Sequence, residues 1–307
     1  IRLDQKVRAA WMYYIAGLNQ SEIASQLGTS RPVVQRLIAA AKDEGIVSIG
    51  LHHPVANCLD YAQLLKEKYQ LTDCNIMPVY SIESTLDSVT FGCYQLMARY
   101  LQGDKPTIVG IGSGLTLKKT IKRIDFDSQN TRCVALISAM NEHGQCNYYD
   151  DVPLLLARKI QGKYYQWPAP RYAQSREEYQ MWSTNRLFRN VSTVARDSDV
   201  IFVGIGALGR QSPIFKDGFI DEQQLEELTA RGGVGEILGR FIDAEGNVVE
   251  SQINQMITSH DIRESNCPRI AAACGEDKRP AILAALKGGW INGLVTDEHT
   301  ARWLLTR

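Results

Sequence analysis

Apolar residues in the first 45 positions recur at helical spacing in three short segments. The spacing predicts helices over 3–16, 21–27 and 31–42. A glycine follows each segment and is a typical helix stop: Gly17, Gly28 and Gly45. Ser30 is placed to cap the third helix, whose first turn tolerates Pro32 because a helix needs no N–H there. The pattern therefore predicts a small helical domain over 1–52 that ends with a short strand at 46–51, with the linker to the rest of the chain at 52–54.

From residue 53 onward, strand-like apolar runs alternate with helical patterns. Strands are predicted over 74–79, 107–111, 133–138, 199–205, 239–243, 269–273 and 293–296. Helices are predicted over 57–69, 84–101, 115–123, 152–161, 176–187, 221–230, 278–286 and 298–305. Apolar strands separated by helices favour a mostly parallel sheet covered on both faces. The predicted fold class is therefore α/β, with a larger second domain over 53–307.

The segment from Asn19 to Ile38 has the features of a helix-turn-helix. Two helices that cross steeply need a small residue at the crossing and a turn that tolerates an unusual backbone angle, as Ala24 and Gly28 provide. Val34 and Leu37 are spaced to pack back on the preceding helix. These features agree with one another, and they predict a DNA-reading motif.

The outer face of the third helix carries the residues suited to DNA. Candidate DNA-binding residues are Ser30, Arg31, Gln35 and Arg36. Arginine and glutamine can read base edges, and a serine at a helix start suits phosphate. A three-helix cap or dimerisation module of similar appearance is the alternative. For single residues, Arg36 could bind phosphate rather than a base, and Arg31 could be solvated.

A glycine loop follows the apolar strand near residue 108. Gly110, Gly112 and Gly114 precede a helix, so backbone N–H groups can approach an anion at the helix start, with Ser113 and Thr116 as hydroxyl donors. The spacing matches neither a dinucleotide fingerprint nor a Walker loop. The loop predicts a cradle for phosphate or sugar hydroxyls, and a tight structural turn is the alternative.

A second glycine loop runs from Val203 to Gly209 and does match G-x-G-x-x-G. It leads into a loop-like Arg210–Pro213 segment rather than a long helix, which argues against a nucleotide site. Two such loops after parallel strands predict a pocket at the carboxyl edge of the sheet.

These blocks together resemble the SorC-type (SorC/DeoR) sugar-responsive regulators over nearly the whole chain. The matching blocks are the helix-turn-helix, 110–116, 203–208, 235–243 and 281–298. The resemblance implies a sensor domain similar to the ribose-phosphate isomerase and glucosamine-phosphate deaminase fold. It also implies a homo-oligomer, a tetramer on operator DNA, controlled by a sugar, polyol or sugar phosphate.

The same resemblance implies an effector site. The residues that it assigns to the ligand are Gly112, Ser113, Gly114, Leu115, Thr116, Glu236, Asp243 and Lys278. Glu236 or Asp243 would accept hydrogen bonds from hydroxyls, and Lys278 would meet a phosphate. Alternatively, Glu236 caps the following strand, Asp243 belongs to the turn that it opens, and Lys278 is a solvated first-turn residue.

The sequence departs from the family at one informative position. Some relatives have a lysine at the end of the strand predicted over 133–138, where it can form a Schiff base with an aldehyde ligand. Ser138 stands here, so we expect no covalent adduct at this position. Aromatic residues are dense between Tyr148 and Trp182, and Tyr148, Tyr149, Asp150 and Asp151 could close over a ligand.

Composition limits the remaining possibilities. Lys+Arg and Asp+Glu are both 34, so any DNA-binding charge must be local. The 7 cysteines are scattered without metal or disulfide spacing, which predicts reduced thiols in a cytoplasmic protein and no metal or cofactor. No apolar stretch approaches the roughly 20 residues of a membrane span.

Two rival functions remain open at this stage. A sugar-phosphate isomerase or deaminase would need an acid–base pair, and His143 beside Glu142 is the candidate. A redox sensor would need an activated thiol, and Cys133 beside Arg132 is the only one with an adjacent basic residue. Neither signal is as complete as the regulator motifs, so we predict a regulator with no catalytic residues.

Overall fold

A computed structural model describes residues 3–49, 53–146 and 151–307 of the chain. The chain divides into two units, Ile1–His53 and Pro54–Arg307. Each has its own buried core, and the cores are described separately below.

The first unit consists of α1 (Leu3–Tyr14), α2 (Gln20–Leu27) and α3 (Arg31–Asp43). Its core combines residues from all three helices: Ala9, Ile23, Ala24, Val34, Leu37 and Ile38. The three predicted helices and their packing are confirmed. The predicted strand is wrong over 46–49, which adopt no regular structure, and its last two residues lie outside the described residues.

The second unit alternates helices and strands, as the apolar pattern predicted. Its helices are α4 (Pro54–Tyr69), α5 (Thr85–Leu101), α6 (Leu115–Lys122), α7 (Val152–Ile160), α8 (Arg176–Thr184), α9 (Arg186–Arg196), α10 (Pro213–Lys216), α11 (Glu222–Ala230), α12 (Gln252–Met256), α13 (Arg279–Lys287) and α14 (Glu298–Leu305). Its strands are β1 (Asp73–Met77), β2 (Thr107–Ile111), β3 (Thr131–Ala135), β4 (Lys163–Tyr165), β5 (Val200–Val203), β6 (Gly206–Ala207), β7 (Gly233–Ile237), β8 (Arg240–Asp243), β9 (Arg269–Ala272) and β10 (Gly293–Asp297).

Seven strands form one parallel sheet in the order β1-β10-β9-β5-β2-β3-β4. Successive residues of a strand point to opposite faces, so β5 places Ile201 in one core and Phe202 in the other. Helices cover both faces, which confirms the α/β prediction. Because β5 lies between β2 and β9, the loops that follow these three strands meet at one edge of the sheet.

Several elements differ from the sequence prediction. The predicted helix 176–187 is two helices, because Asn185 has an extended backbone (ψ 134°) and caps α9 by accepting from Leu187 N and Phe188 N. Strand β4 and the strands β6 and β7 were not predicted. Strand β4 is an edge strand of the parallel sheet, whereas β6 and β7 form a separate antiparallel sheet with β8, in the order β6-β7-β8.

No helix in the described part of the chain is long and apolar enough to span a bilayer. Within the same residues, no group of three or more His, Cys, Asp or Glu side chains is arranged to hold a metal ion.

Candidate functional site

A cavity of about 590 Å³ opens where β2, β5 and β9 end. Residues from both glycine loops line it, together with the hairpin of β7 and β8 and the segment that precedes α13. This is the edge at which open α/β sheets bind ligands, because the strand ends diverge there. The predicted pocket at the carboxyl edge of the sheet is therefore present.

The first glycine loop places a helix start against the cavity. Ser113, Gly114, Leu115 and Thr116 all line it. Gly114 precedes α6 with φ +114°, a conformation that side chains rarely allow, and no side chain caps α6. The first N–H groups of α6 lack intrahelical partners and carry the positive end of its dipole, so this surface suits an anion.

Gly112 supports this loop without lining the cavity. Its N–H donates to Phe202 O at 2.9 Å, which ties the loop to β5. A Cβ at this position would lie 3.1 Å from Leu238 Cδ2. Glycine at this position therefore allows close packing behind the cavity wall, and direct contact of Gly112 with a ligand stays a prediction.

The second glycine loop makes room for Glu236. A Cβ on Gly206 would lie 2.3 Å from Glu236 Oε1, so only glycine leaves the carboxylate in place. Glu236 Oε2 accepts from Gly239 N at 2.7 Å and so holds the β7–β8 turn, while the side chain also lines the cavity. Glu236 can therefore have both of the roles considered from the sequence. Its Oε2 has a structural role in the turn, and its Oε1 is left to accept a hydrogen bond from a ligand hydroxyl.

Leu238 is a lining residue that the sequence did not reveal. It occupies the turn between β7 and β8 with φ +50°, a backbone conformation that costs a non-glycine residue about 1–3 kcal/mol. Leu238 O accepts from Ser259 Oγ at 2.7 Å, which helps to hold this turn. The strained turn thus adds an apolar side chain to the wall of the cavity.

Lys278 approaches the cavity from the third strand end. It follows Gly275, which has φ +102° and donates its N–H to Asp297 Oδ2, and it directly precedes α13. Lys278 and Asp277 both line the cavity, and Lys278 makes no salt bridge within the described ranges. An ammonium group and the start of α6 therefore border the same space.

Arg171 is a second lining residue that sequence reasoning missed. It is 8% exposed, and its guanidinium carbon lies 3.7 Å from the centre of the Phe219 ring. Nη2 donates to Ser138 O at 3.4 Å, whereas Nε is buried with no acceptor in the described part of the chain. A buried guanidinium with a spare donor adds to the positive character of this wall.

Asp243 lies outside this cavity. Its Oδ1 accepts from Glu245 N at 3.0 Å and from Asn247 N at 2.9 Å, so it closes the turn after β8. Asp243 is therefore a turn residue, which was the alternative considered from the sequence. We leave it out of the site proposed below.

The DNA-binding candidates lie together on α3. Ser30, Arg31, Gln35 and Arg36 are all exposed. Ser30 has the N-cap position, but its hydroxyl makes no capping hydrogen bond and is available to another partner. Arg31 Nε contacts Gln20 Oε1 at 3.4 Å, a weak link that leaves most of its donors free.

The geometry gives little support to the rival sites. His143 and Glu142 are 3.4 Å apart but mostly exposed, and neither lines the cavity. Cys133 is buried, and burial raises the pKa of its thiol to about 12, so it is not an activated thiolate. Tyr148, Tyr149 and Asp150, the suggested lid, lie outside the described residues, and Asp151 caps α7 by accepting from Leu154 N.

Comparison with known proteins gives one consistent result. A family model described as a sugar-binding domain matches residues 53–306. The erythritol catabolism regulatory protein EryD of Brucella abortus (strain 2308) is 30% identical over 302 residues, covering 97% of this chain and 95% of its own. The transcriptional regulator LsrR of Escherichia coli (strain K12) is 31% identical over 313 residues, covering 98% and 94%.

A solved structure matches both units of the chain. The full-length sorbitol operon regulator SorC from Klebsiella pneumoniae has a TM-score of 0.73 and 25% identity, covering 98% of each chain. EryD, LsrR and SorC all have the names of regulators, and none has the name of an enzyme.

Proposed function

This chain belongs to the SorC-type family of transcriptional regulators with a sugar-binding domain, and we propose that it controls a carbohydrate or polyol catabolic operon. Family membership implies DNA and a sugar-type ligand as its partners. The enzyme alternative, a sugar-phosphate isomerase or deaminase, is not supported, because the relatives are named as regulators. We assign operator binding to residues 1–52 and effector binding to residues 53–307.

The observation that carries the effector proposal is the convergence of charge at the cavity. Lys278 and the uncapped start of α6 border one space, and Thr116 and Ser113 add hydroxyls to it. A phosphate group bound there would accept hydrogen bonds from backbone N–H groups and from the Lys278 ammonium. The hydroxyls of the same ligand would donate to Glu236 Oε1, which lines the same cavity.

The names of the relatives narrow the ligand class. EryD is named for erythritol catabolism and SorC for the sorbitol operon, and both compounds are polyols. A polyol or its phosphate presents several hydroxyl groups and no aldehyde. That chemistry also suits a site with Ser138 where some relatives have a Schiff-base lysine.

The operator half of the proposal rests on α3. Arg31, Gln35 and Arg36 would enter the major groove, and the free hydroxyl of Ser30 would meet a phosphate at the helix start. We propose that the protein acts in the cytoplasm as a homo-tetramer. The effector would then favour one arrangement of the subunits, and so change how paired α3 helices fit their half-sites.

The first experiment is a thermal-shift screen of the full chain against tetritols, pentitols, hexitols and their monophosphates. A ligand present at 100 times its Kd and bound only by the folded state should add about 2.7 kcal/mol of stability. We expect a phosphorylated polyol to give such a shift, and Lys278→Ala or Thr116→Ala to remove most of it. Lys287→Ala, at the exposed far end of α13, is the matched control and should keep the shift.

The outcomes separate the parts of the proposal. A shift with unphosphorylated polyols alone would retain the sensor and contradict the anion role of Lys278. Effector control would be contradicted if no compound gave a thermal shift and none changed the affinity for a promoter fragment, measured by fluorescence anisotropy. On that fragment, Arg31→Ala or Arg36→Ala should cost about 1–3 kcal/mol of binding if the side chain reads a base.

A further inference from the structure

A second cleft, of about 410 Å³, lies in the second unit. It is bordered by Trp167 after β4, by α8 and α9, by Arg240 at the start of β8, and by the segment 258–264. It shares no lining residue with the 590 Å³ cavity that we propose binds the effector, called the effector cavity below. The resemblance to known regulators assigned it no role, and its chemistry differs from that of the first cavity.

Two buried polar atoms at this cleft lack hydrogen-bond partners among the described residues. Trp167 is 3% exposed and packs edge-to-face on Phe188 with ring centres 5.1 Å apart, yet its Nε1–H has no acceptor. Ser192 Oγ on α9 is also buried and unpaired. Buried donors without partners cost about 1–3 kcal/mol each, so an acceptor supplied by a ligand would recover that free energy.

Arginines outnumber acidic residues in the lining of the cleft. Asp261 pairs with Arg263 at 2.7 Å, and Glu264 lies 3.8 Å from Arg196, so both acids already face a cation. Arg189 makes no salt bridge in the described part of the chain. Among the residues that the structure describes, the guanidinium of Arg240 donates only to Ser259, at 3.0 and 3.2 Å. Neither arginine therefore has a salt bridge in the described part of the chain, although Asp261 and Glu264 interact with the Arg240 charge at longer range.

His260, on the wall of the cleft, adds no charge at neutral pH. Its Nε2 lies 2.8 Å from Ser265 Oγ, and that hydroxyl donates its one proton to Ala195 O at 3.0 Å. Ser265 Oγ must therefore accept from His260 Nε2–H, which fixes the tautomer. Burial lowers the pKa of His260 to about 4, so the ring is neutral. The positive charge of the cleft comes from the arginines alone.

We propose that this cleft is a second ligand site, which binds a small oxyanion, a carboxylate or a phosphate. Its oxygens would accept from the Arg189 and Arg240 guanidinium groups and from Trp167 Nε1–H, and Ser192 would add a hydroxyl. Guanidinium groups match the geometry of both oxyanions with paired donors. The site goes beyond the proposed function, because it is separate from the polyol-phosphate cavity in both position and composition.

The indole proton reports directly on this site. The full chain, labelled with 15N-tryptophan, gives signals from 5 indoles, and Trp167→Phe identifies the signal of Trp167. We would titrate inorganic phosphate and, separately, citrate, each against chloride at matched ionic strength. The Trp167 signal should move saturably with phosphate or with citrate, and the two titrations tell which oxyanion the site prefers. Arg189→Ala should weaken that binding at least about tenfold.

Two control variants make the result decisive. Arg186→Ala removes an exposed arginine from the same helix outside the cleft and should leave the titration unchanged. Lys278→Ala should also leave it unchanged, even where it abolishes the effector shift, which separates the two sites. The proposal is overturned if the signal moves no more than with chloride, if Arg189→Ala has no effect, or if the signal follows protein concentration instead, as burial by a second copy would cause.

Discussion

Close packing, hydrogen bonds and backbone strain hold single residues in place at the effector cavity. The Glu236 carboxylate fits only because residue 206 has no side chain, and its second oxygen is fixed by Gly239 N. Leu238 lies in a strained turn, and Ser259 Oγ helps to hold this turn by donating to Leu238 O. Strain of this kind persists only where the surroundings enforce it, and it concentrates at binding sites.

His260 gives a prediction at the same scale. Its pKa is near 6.5 in the unfolded chain and about 4 in the fold, because burial disfavours the charged ring. Its contribution to stability is therefore complete above pH 6.5 and is lost as the pH falls from 6.5 toward 4. The loss should be on the order of 3 kcal/mol, measured by urea unfolding at pH 7.5 and pH 4.5.

Two variants test the assignment of this loss to His260. His260→Gln stays neutral and can still donate to Ser265, so its stability should fall less over the same interval. His143→Gln changes a histidine that is mostly exposed and should follow the wild type. Parallel curves for the wild type and His260→Gln would show that the buried ring is not the group being protonated.

At the scale of elements, the two helices of the DNA-binding motif begin in different ways. Asn19 Oδ1 accepts from Ser21 N and Glu22 N at 3.0 Å, and the Glu22 carboxylate accepts from Asn19 N, which completes a capping box on α2. Ser30 occupies the corresponding position on α3 with no capping hydrogen bond. The Asn19 side chain thus stabilises the start of α2, whereas the Ser30 hydroxyl does not cap α3, the helix that we propose binds DNA.

This difference predicts opposite effects of two similar substitutions. Asn19→Ala should lower the free energy of unfolding of the first unit by about 1 kcal/mol, because it removes the cap. Ser30→Ala should leave unfolding nearly unchanged and weaken binding to a promoter fragment. Denaturant unfolding followed by circular dichroism, with fluorescence anisotropy on DNA, measures both. Equal losses of stability would mean that Ser30 is a structural cap after all.

At the scale of the whole molecule, α1 presents an apolar stripe that its own unit does not bury. Leu3, Val7 and Trp11 recur at every fourth position, and all three are exposed, Trp11 by 57%. A stripe of large apolar side chains on one helix face is typical of a contact with another protein surface. In the proposed homo-oligomer, we expect this stripe to pack against α1 of a second copy, which would pair two α3 helices for a two-fold operator.

The corresponding prediction concerns assembly. Trp11→Glu places a charge in the stripe and should shift sedimentation-velocity profiles toward smaller species and weaken operator binding. Gln5→Glu adds the same charge on another face of α1, where the residue is exposed and polar, and should preserve assembly. If both variants sediment like the wild type, α1 does not form the subunit contact.

The sequence alone determined the features whose causes are local. Apolar spacing, caps and glycines within a few residues predict the helices of the DNA-binding motif, β2 and the glycine turn into α6. The same local signals predict the alternation of strands and helices that builds the parallel sheet. The residues proposed to bind the effector at 113–116, Glu236 and Lys278 came from such motifs and from the family resemblance, and the fold brings them to one cavity.

Only the tertiary structure decided what depends on partners far along the chain. Arg171 enters the effector cavity through its contact with Ser138, and Gly206 accommodates Glu236 across 30 positions. The short strands β4 and β6 form because a neighbouring strand supplies their hydrogen bonds, and their own sequences are too short to show a period. The second cleft likewise exists only where separate segments meet, because no local pattern records a donor that lacks a partner.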